Sequence, residues 1–143
     1  MTLAEFVEHT HRLARRHWGM SADTGDITHS EFEYLRAIRA QEAFKTNAAE
    51  HGQHLHDIVR DMGVNKASAS TMISKLEKRG LIERFQCQYD ARAQHIQVSA
   101  SGAELLARGK IVYDNIANEF LAQLSWGQRN QLTAAIKEIS KDG

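Results

Sequence analysis

The sequence predicts a mainly α-helical fold carrying one small β-ribbon, and three observations support that expectation. The 143-residue chain contains no proline, where average usage would supply about seven, so nothing breaks long helices. Four stretches repeat apolar residues every three to four positions behind a hydroxyl-bearing start signal. One stretch past the middle switches instead to alternation of apolar and polar residues, the period of a half-buried strand.

The elements follow in order. In a capping box a Ser or Thr hydroxyl accepts from the amide three residues on, and the side chain there returns to the cap's own amide. This pattern is readable at Thr2/Glu5, Thr28/Glu31, Ser101/Glu104 and Ser125/Gln128. Leu3, Phe6, Val7 and Leu13 follow the first, and Phe32, Leu35 and Ile38 the second. Leu105, Val112, Ile116 and Phe120 follow the third, and Leu132, Ile136 and Ile139 the fourth. Helices are therefore expected over 2–18, 28–44, 101–124 and 125–141. Residues 21–26 (SADTGD) and 46–53 (TNAAEHGQ) read as a turn and a polar connector.

Between these lies a compact run of signals. Residues 55–62 form a short helix with Leu55, Ile58, Val59 and Met62 on its apolar side, stopped by Gly63. Asn65 caps a second helix over 66–79. Ala69, Met72, Ile73 and Leu76 turn inward there, and Lys66, Ala67, Ser70, Thr71, Ser74, Lys75 and Lys78 outward. After Gly80, residues 81–87 alternate as a strand, with Phe85 inward and Cys87 packed as a small apolar residue. Residues 88–92 turn, and 94–98 supply a second strand. Helix, glycine turn, helix and two-stranded ribbon is the order of a winged helix-turn-helix.

Composition excludes several classes. Apolar residues make up 42% and charged residues 25%, a soluble globular profile in a length that favours one domain. No apolar stretch approaches the roughly 18 residues of a membrane span, and no secretory signal is expected at the N-terminus. A single cysteine, Cys87, fits a reducing cytoplasm, the expected location. No Ser-His-Asp order, phosphate loop or carboxylate pair suggests an enzyme. Net charge is zero, with 18 basic and 18 acidic residues. Residues 60–84, however, carry Arg60, Lys66, Lys75, Lys78, Arg79 and Arg84 against Asp61, Glu77 and Glu83. That local cationic excess marks the segment for phosphate attraction.

A major groove about 12 Å wide admits one helix. The outward face of 66–78 suits it, because short Ser and Thr side chains permit close approach and Lys66 sits where the helix dipole attracts anions. The run from Gly63 to Arg84, followed by Asp90-Ala91-Arg92, Ile96, Val98 and Ser99, closely resembles the recognition helix and wing of the MarR family of bacterial transcriptional regulators. The flanking helices match in number and length.

The resemblance implies a sequence-specific DNA-binding regulator, a repressor, working as a homodimer on a pseudo-palindromic duplex. Residues 45–100 would form the winged helix-turn-helix, and 1–44 and 101–143 the dimerisation helices. Leu3, Phe6, Val7, Leu121, Leu124, Trp126, Leu132, Ile136 and Ile139 offer the dimer surface. Asn65, Lys66, Ser68, Ser70 and Thr71 would face the groove or its phosphates, and Lys75 the backbone. Arg92 would reach the minor groove, oriented by an ion pair with Asp90. Ala91 departs from the second basic residue frequent in the family's wing, and Tyr89 is the candidate to pack on the sugar backbone instead.

The resemblance further implies a small aromatic or anionic effector that releases DNA. Arg15, Arg16, His17, Trp18 and Phe32 are its candidate residues, with Leu35 beside them. Cofactors and metals are not expected. Eight histidines allow pairs such as Glu5/His9, His51/His54 and His54/His56, yet the family's metal-sensing histidines lie in the long helix at 101–124, which has none. The reactive cysteine of the family's peroxide-sensing branch, near the start of the first helix, is also missing. A winged-helix module for protein interaction and a metal-responsive regulator are the alternatives.

Overall fold

A computed structural model describes residues 1–20, 27–44 and 53–141. The helices are α1 (Leu3–Met20), α2 (His29–Gln41), α3 (Leu55–Met62), α4 (Lys66–Lys78), α5 (Ala100–Ala122) and α6 (Trp126–Ile139). A single 3-10 turn (Glu42–Phe44) ends α2 earlier than its periodicity suggests. Strands β1 (Ile82–Gln86) and β2 (Gln94–Val98) pair antiparallel between α4 and α5, with Ile82 opposite Val98 and Gln86 opposite Gln94. Residues 21–26 and most of the 46–53 connector lie outside the described residues, as does the His51/His54 pairing.

Cap chemistry explains most boundaries. The Thr2/Glu5 box is complete, with Glu5 N donating to Thr2 Oγ1 at 3.2 Å and Thr2 N to Glu5 Oε2 at 2.7 Å. Ser125 and Gln128 form the same box at the head of α6. At Thr28 only half forms: the hydroxyl accepts from Glu31 N at 3.1 Å, while the Glu31 carboxylate turns elsewhere. The Ser101 cap is overturned. Ser99 caps α5 instead, accepting from Gly102 N at 3.1 Å and donating to Gly80 O at 2.6 Å. No acid stands three residues beyond Ser99, so the box pattern pointed two residues too far.

The core gathers around α2. Leu35 and Ile38 are fully buried against Ile58 of α3, Ala69, Ile73 and Leu76 of α4, and Ile82, Ile96 and Val98 of the ribbon. Trp18, Phe32, Val112 and Ile116 join α1 and α5 to the same core. Gly109 lets α5 approach closely, since a Cβ there would overlap the Phe32 ring and lie 2.7 Å from Trp18. Gly63 adopts φ 63°, ψ 33°, left-handed backbone that only glycine takes readily. It sets the turn that aims α4 away from α3.

One helix has no core. No residue of α6 is buried, and Trp126, Ile136 and Ile139 are 80%, 55% and 76% exposed. Leu3 and Val7 of α1 are exposed as well, Phe6 packs on Phe120 with ring centroids 5.3 Å apart, and Leu121 and Leu124 are half-buried. Among the described residues no helix is long and apolar enough to cross a membrane.

Candidate nucleic-acid interface

The outward face of α4 is built by its cap and its stripe. Asn65 Oδ1 accepts from Ser68 N at 2.7 Å, which leaves the Asn65 amide group to face outward and starts the helix in the open. Ala69, Ile73 and Leu76 anchor the inner side, so Lys66, Ser68, Ser70, Thr71 and Lys78 are exposed. The Thr71 hydroxyl donates to Ala67 O at 3.1 Å, and its lone pairs remain available. Short hydroxyl side chains thus line the part of the helix that would enter a groove.

The wing meets this helix across a cleft of about 490 Å³ lined by Lys66, Arg84, Asp90 and Arg92, among others. Recognition-helix and wing cations therefore border one groove. The expected Asp90–Arg92 ion pair is corrected: Asp90 Oδ1 accepts the Arg92 backbone amide at 2.9 Å. The carboxylate shapes the turn, and the guanidinium is exposed. Gln86 Nε2 staples the same turn by donating to Ala91 O at 2.6 Å. Phe85, expected inward, is partly exposed and stacks on His95 at 5.1 Å.

Much of the cationic excess is neutralised within the fold. Glu31, 1% exposed, receives Arg79 and also Lys75, whose Nζ lies 3.1 Å from Oε1. Arg84 Nε pairs with Glu77 at 2.9 Å, and Arg60 with Asp57 at 3.2 Å. Lys75, expected on the DNA backbone, ties α4 to α2 through Glu31 while its side chain stays 55% exposed. Glu31 and Asp57 come from outside the 60–84 segment, which is why counting charges within it overstates the field. Lys66 and Lys78 keep theirs outward. Arg79→Ala is expected to lower stability by about 2–3 kcal/mol in urea unfolding, because Lys75 alone would then compensate a buried carboxylate.

The five expected effector residues do not form one site. Trp18 and Phe32 are buried and pack together at 4.6 Å, with Trp18 Nε1 donating to Ile27 O at 2.9 Å. His17 faces Glu119 at 3.7 Å, and Arg16 is exposed. Arg15 alone of the five lines an open cleft of about 940 Å³ between α1, α2 and α5, with His29, Glu33, Arg36 and Tyr113. Tyr113 Oη donates to Glu33 Oε1 at 3.3 Å and lies 2.8 Å from His29 Nε2. Burial holds the His29 imidazole below its usual value against the pull of Glu33, and pushes the Tyr113 hydroxyl up. Sequence reading missed these residues because His29 and Tyr113 lie 84 positions apart.

The family model for the MarR family matches residues 27–93. Transcriptional regulator HosA of Escherichia coli is 26% identical over 114 residues, covering 80% of this chain and 78% of that one. Transcriptional repressor MprA of Escherichia coli K12 is 28% identical over 78 residues, covering 54% and 44%. Both relatives are, by their names, transcriptional regulators. A crystal structure of the Staphylococcus aureus MepR–DNA complex superposes with a TM-score of 0.67 over 100% of this chain and 99% of that one, at 19% identity. That likeness confirms the winged-helix fold.

Proposed function

We propose, from the premise that this chain belongs to the MarR family of transcriptional regulators, that it binds double-stranded DNA as a homodimer and represses transcription by occupying its operator. The observation that carries the reading is the open face of α4, where Lys66, Ser68, Ser70 and Thr71 are exposed, with Lys66 at its start bordering one cleft with Arg92 of the wing. In this reading 45–100 is the DNA-binding unit, and the helices of 1–44 and 101–143 hold the two copies together. The uncovered apolar side of α6 supports a second copy as its cover. Two recognition helices then address half-sites about 34 Å apart. MprA, by its name a repressor, favours that direction of control.

Salt tests the reading. Lys66, Lys78 and Arg92 on each protomer make six outward cations per dimer, so log affinity should fall against log salt with a slope of about −5. Fluorescence anisotropy with a duplex measures it, and a flat dependence would exclude phosphate contact. Lys66→Ala should reduce the slope by about 2, one for each copy. Lys75→Ala should leave the slope unchanged and lower stability by about 1 kcal/mol, since its partner is Glu31.

An effector would enter the 940 Å³ cleft, where Arg15 and Arg36 offer charge to an anionic group and Tyr113 an aromatic face. Its position against the α1–α5 helices supports coupling to the spacing of the two DNA-binding units.

A further inference from the structure

Three side chains with metal-ligand chemistry converge at the base of the wing from separate parts of the chain. His54 is the N-cap of α3, Cys87 follows β1, and His95 lies in β2 opposite Phe85. One ring nitrogen of each histidine and the Cys87 sulfur lie within 4.8 Å of one another. The His54 and His95 rings meet edge to face with centroids 4.5 Å apart. Phe85 stacks on His95 at an interplanar angle of 11°, which fixes the plane of that imidazole. Cys87 and His95 are 2% and 6% exposed.

The donor set is one thiolate and two imidazoles, which suits a borderline d10 cation in tetrahedral geometry. With ordinary metal–sulfur and metal–nitrogen bonds, such ligands sit about 3.3–3.8 Å apart. Closing the triangle requires side-chain rotations that shorten its present span of at most 4.8 Å. A cleft of about 410 Å³, lined by Gln53, Phe85, Tyr89 and His95 among others, reaches one of the three side chains from outside, and an ion would approach along it. Packing alone explains a buried cysteine; the convergence of two imidazole nitrogens within 4.8 Å of its sulfur adds a ligand set to it.

We propose that His54, Cys87 and His95 form a binding site for one Zn²⁺ per chain, which ties the wing to the start of α3. The site stands apart from the DNA-binding reading, because metal uptake is measured on the protein alone. A second grouping, His54, His56 and Asp57, shares His54 but uses no thiol, and spectroscopy separates the two.

The test titrates metal-free full-length protein with Co²⁺. One equivalent per chain is expected to produce a thiolate-to-cobalt charge-transfer band in the near ultraviolet together with tetrahedral visible bands, and Zn²⁺ should bleach both. Cys87→Ser should remove the charge-transfer band, and His95→Asn should weaken uptake at least tenfold. His56→Gln should change neither. Cys87→Ala, which keeps the apolar packing, provides the same readout if serine disturbs folding, with circular dichroism as the check. A spectrum without the thiolate band, a band that survives loss of Cys87, or uptake abolished by His56→Gln would each overturn the assignment.

Discussion

The Ser70→Glu, Thr71→Glu double variant is expected to lose duplex binding by about 100-fold or more, with its unfolding midpoint nearly unchanged. Both side chains are exposed on the outer face of α4, and the hydroxyl contact of Thr71 is to its own helix at Ala67 O. Their removal therefore disturbs little packing, and glutamate is a better helix former than either residue. Two carboxylates placed where phosphates must approach oppose binding by several kcal/mol. Anisotropy titration with a duplex, paired with thermal unfolding followed by circular dichroism, separates the two effects. Wild-type affinity in this variant would remove α4 from the interface.

Leu132→Asp combined with Ile136→Asp is expected to convert the proposed dimer into a folded monomer. These positions are 40% and 55% exposed in the isolated chain, so aspartate there costs the monomer little. A twofold interface buries each position twice, and the lost apolar burial amounts to about 4 kcal/mol or more per dimer. That corresponds to dissociation weakened on the order of 1,000-fold. Sedimentation velocity reads the change directly, and affinity for a two-half-site duplex should fall with it. A variant that still sediments as the wild-type dimer would assign the interface to another surface.

The architecture was largely legible in the sequence. Gly63, Asn65 and the spacing of Ile58, Ala69, Ile73 and Leu76 placed α3 and α4 within a residue of their observed bounds, and the alternation of 94–98 marked β2 in full. The face of α4 was legible for the same reason: three inward residues on one stripe dictate which residues point out. Where local signals competed, the reading slipped. Ser101 and Glu104 matched a capping box, but Ser99 was already held by Gly80 O, and the helix began there. Glu31 matched a box with Thr28, yet its carboxylate reached Arg79, 48 residues away. Arg15 to Trp18 share one stretch of sequence, but a helix turns about 100° per residue, so one lines a cleft, one is buried and one faces α5.

What this sequence determined by itself is whatever depends on residues a few positions apart: helix starts, glycine stops, strand alternation and the hydroxyl-rich outer row of α4. Only the tertiary structure decided which cations remain outward once Glu31 has taken Lys75 and Arg79, that His29 and Tyr113 share a cleft with Arg15, and that His54, Cys87 and His95 meet. The physical reason is range. Backbone hydrogen bonding is set by neighbours along the chain, whereas charge pairing and ligand convergence depend on distance through space, which spacing along the chain does not encode.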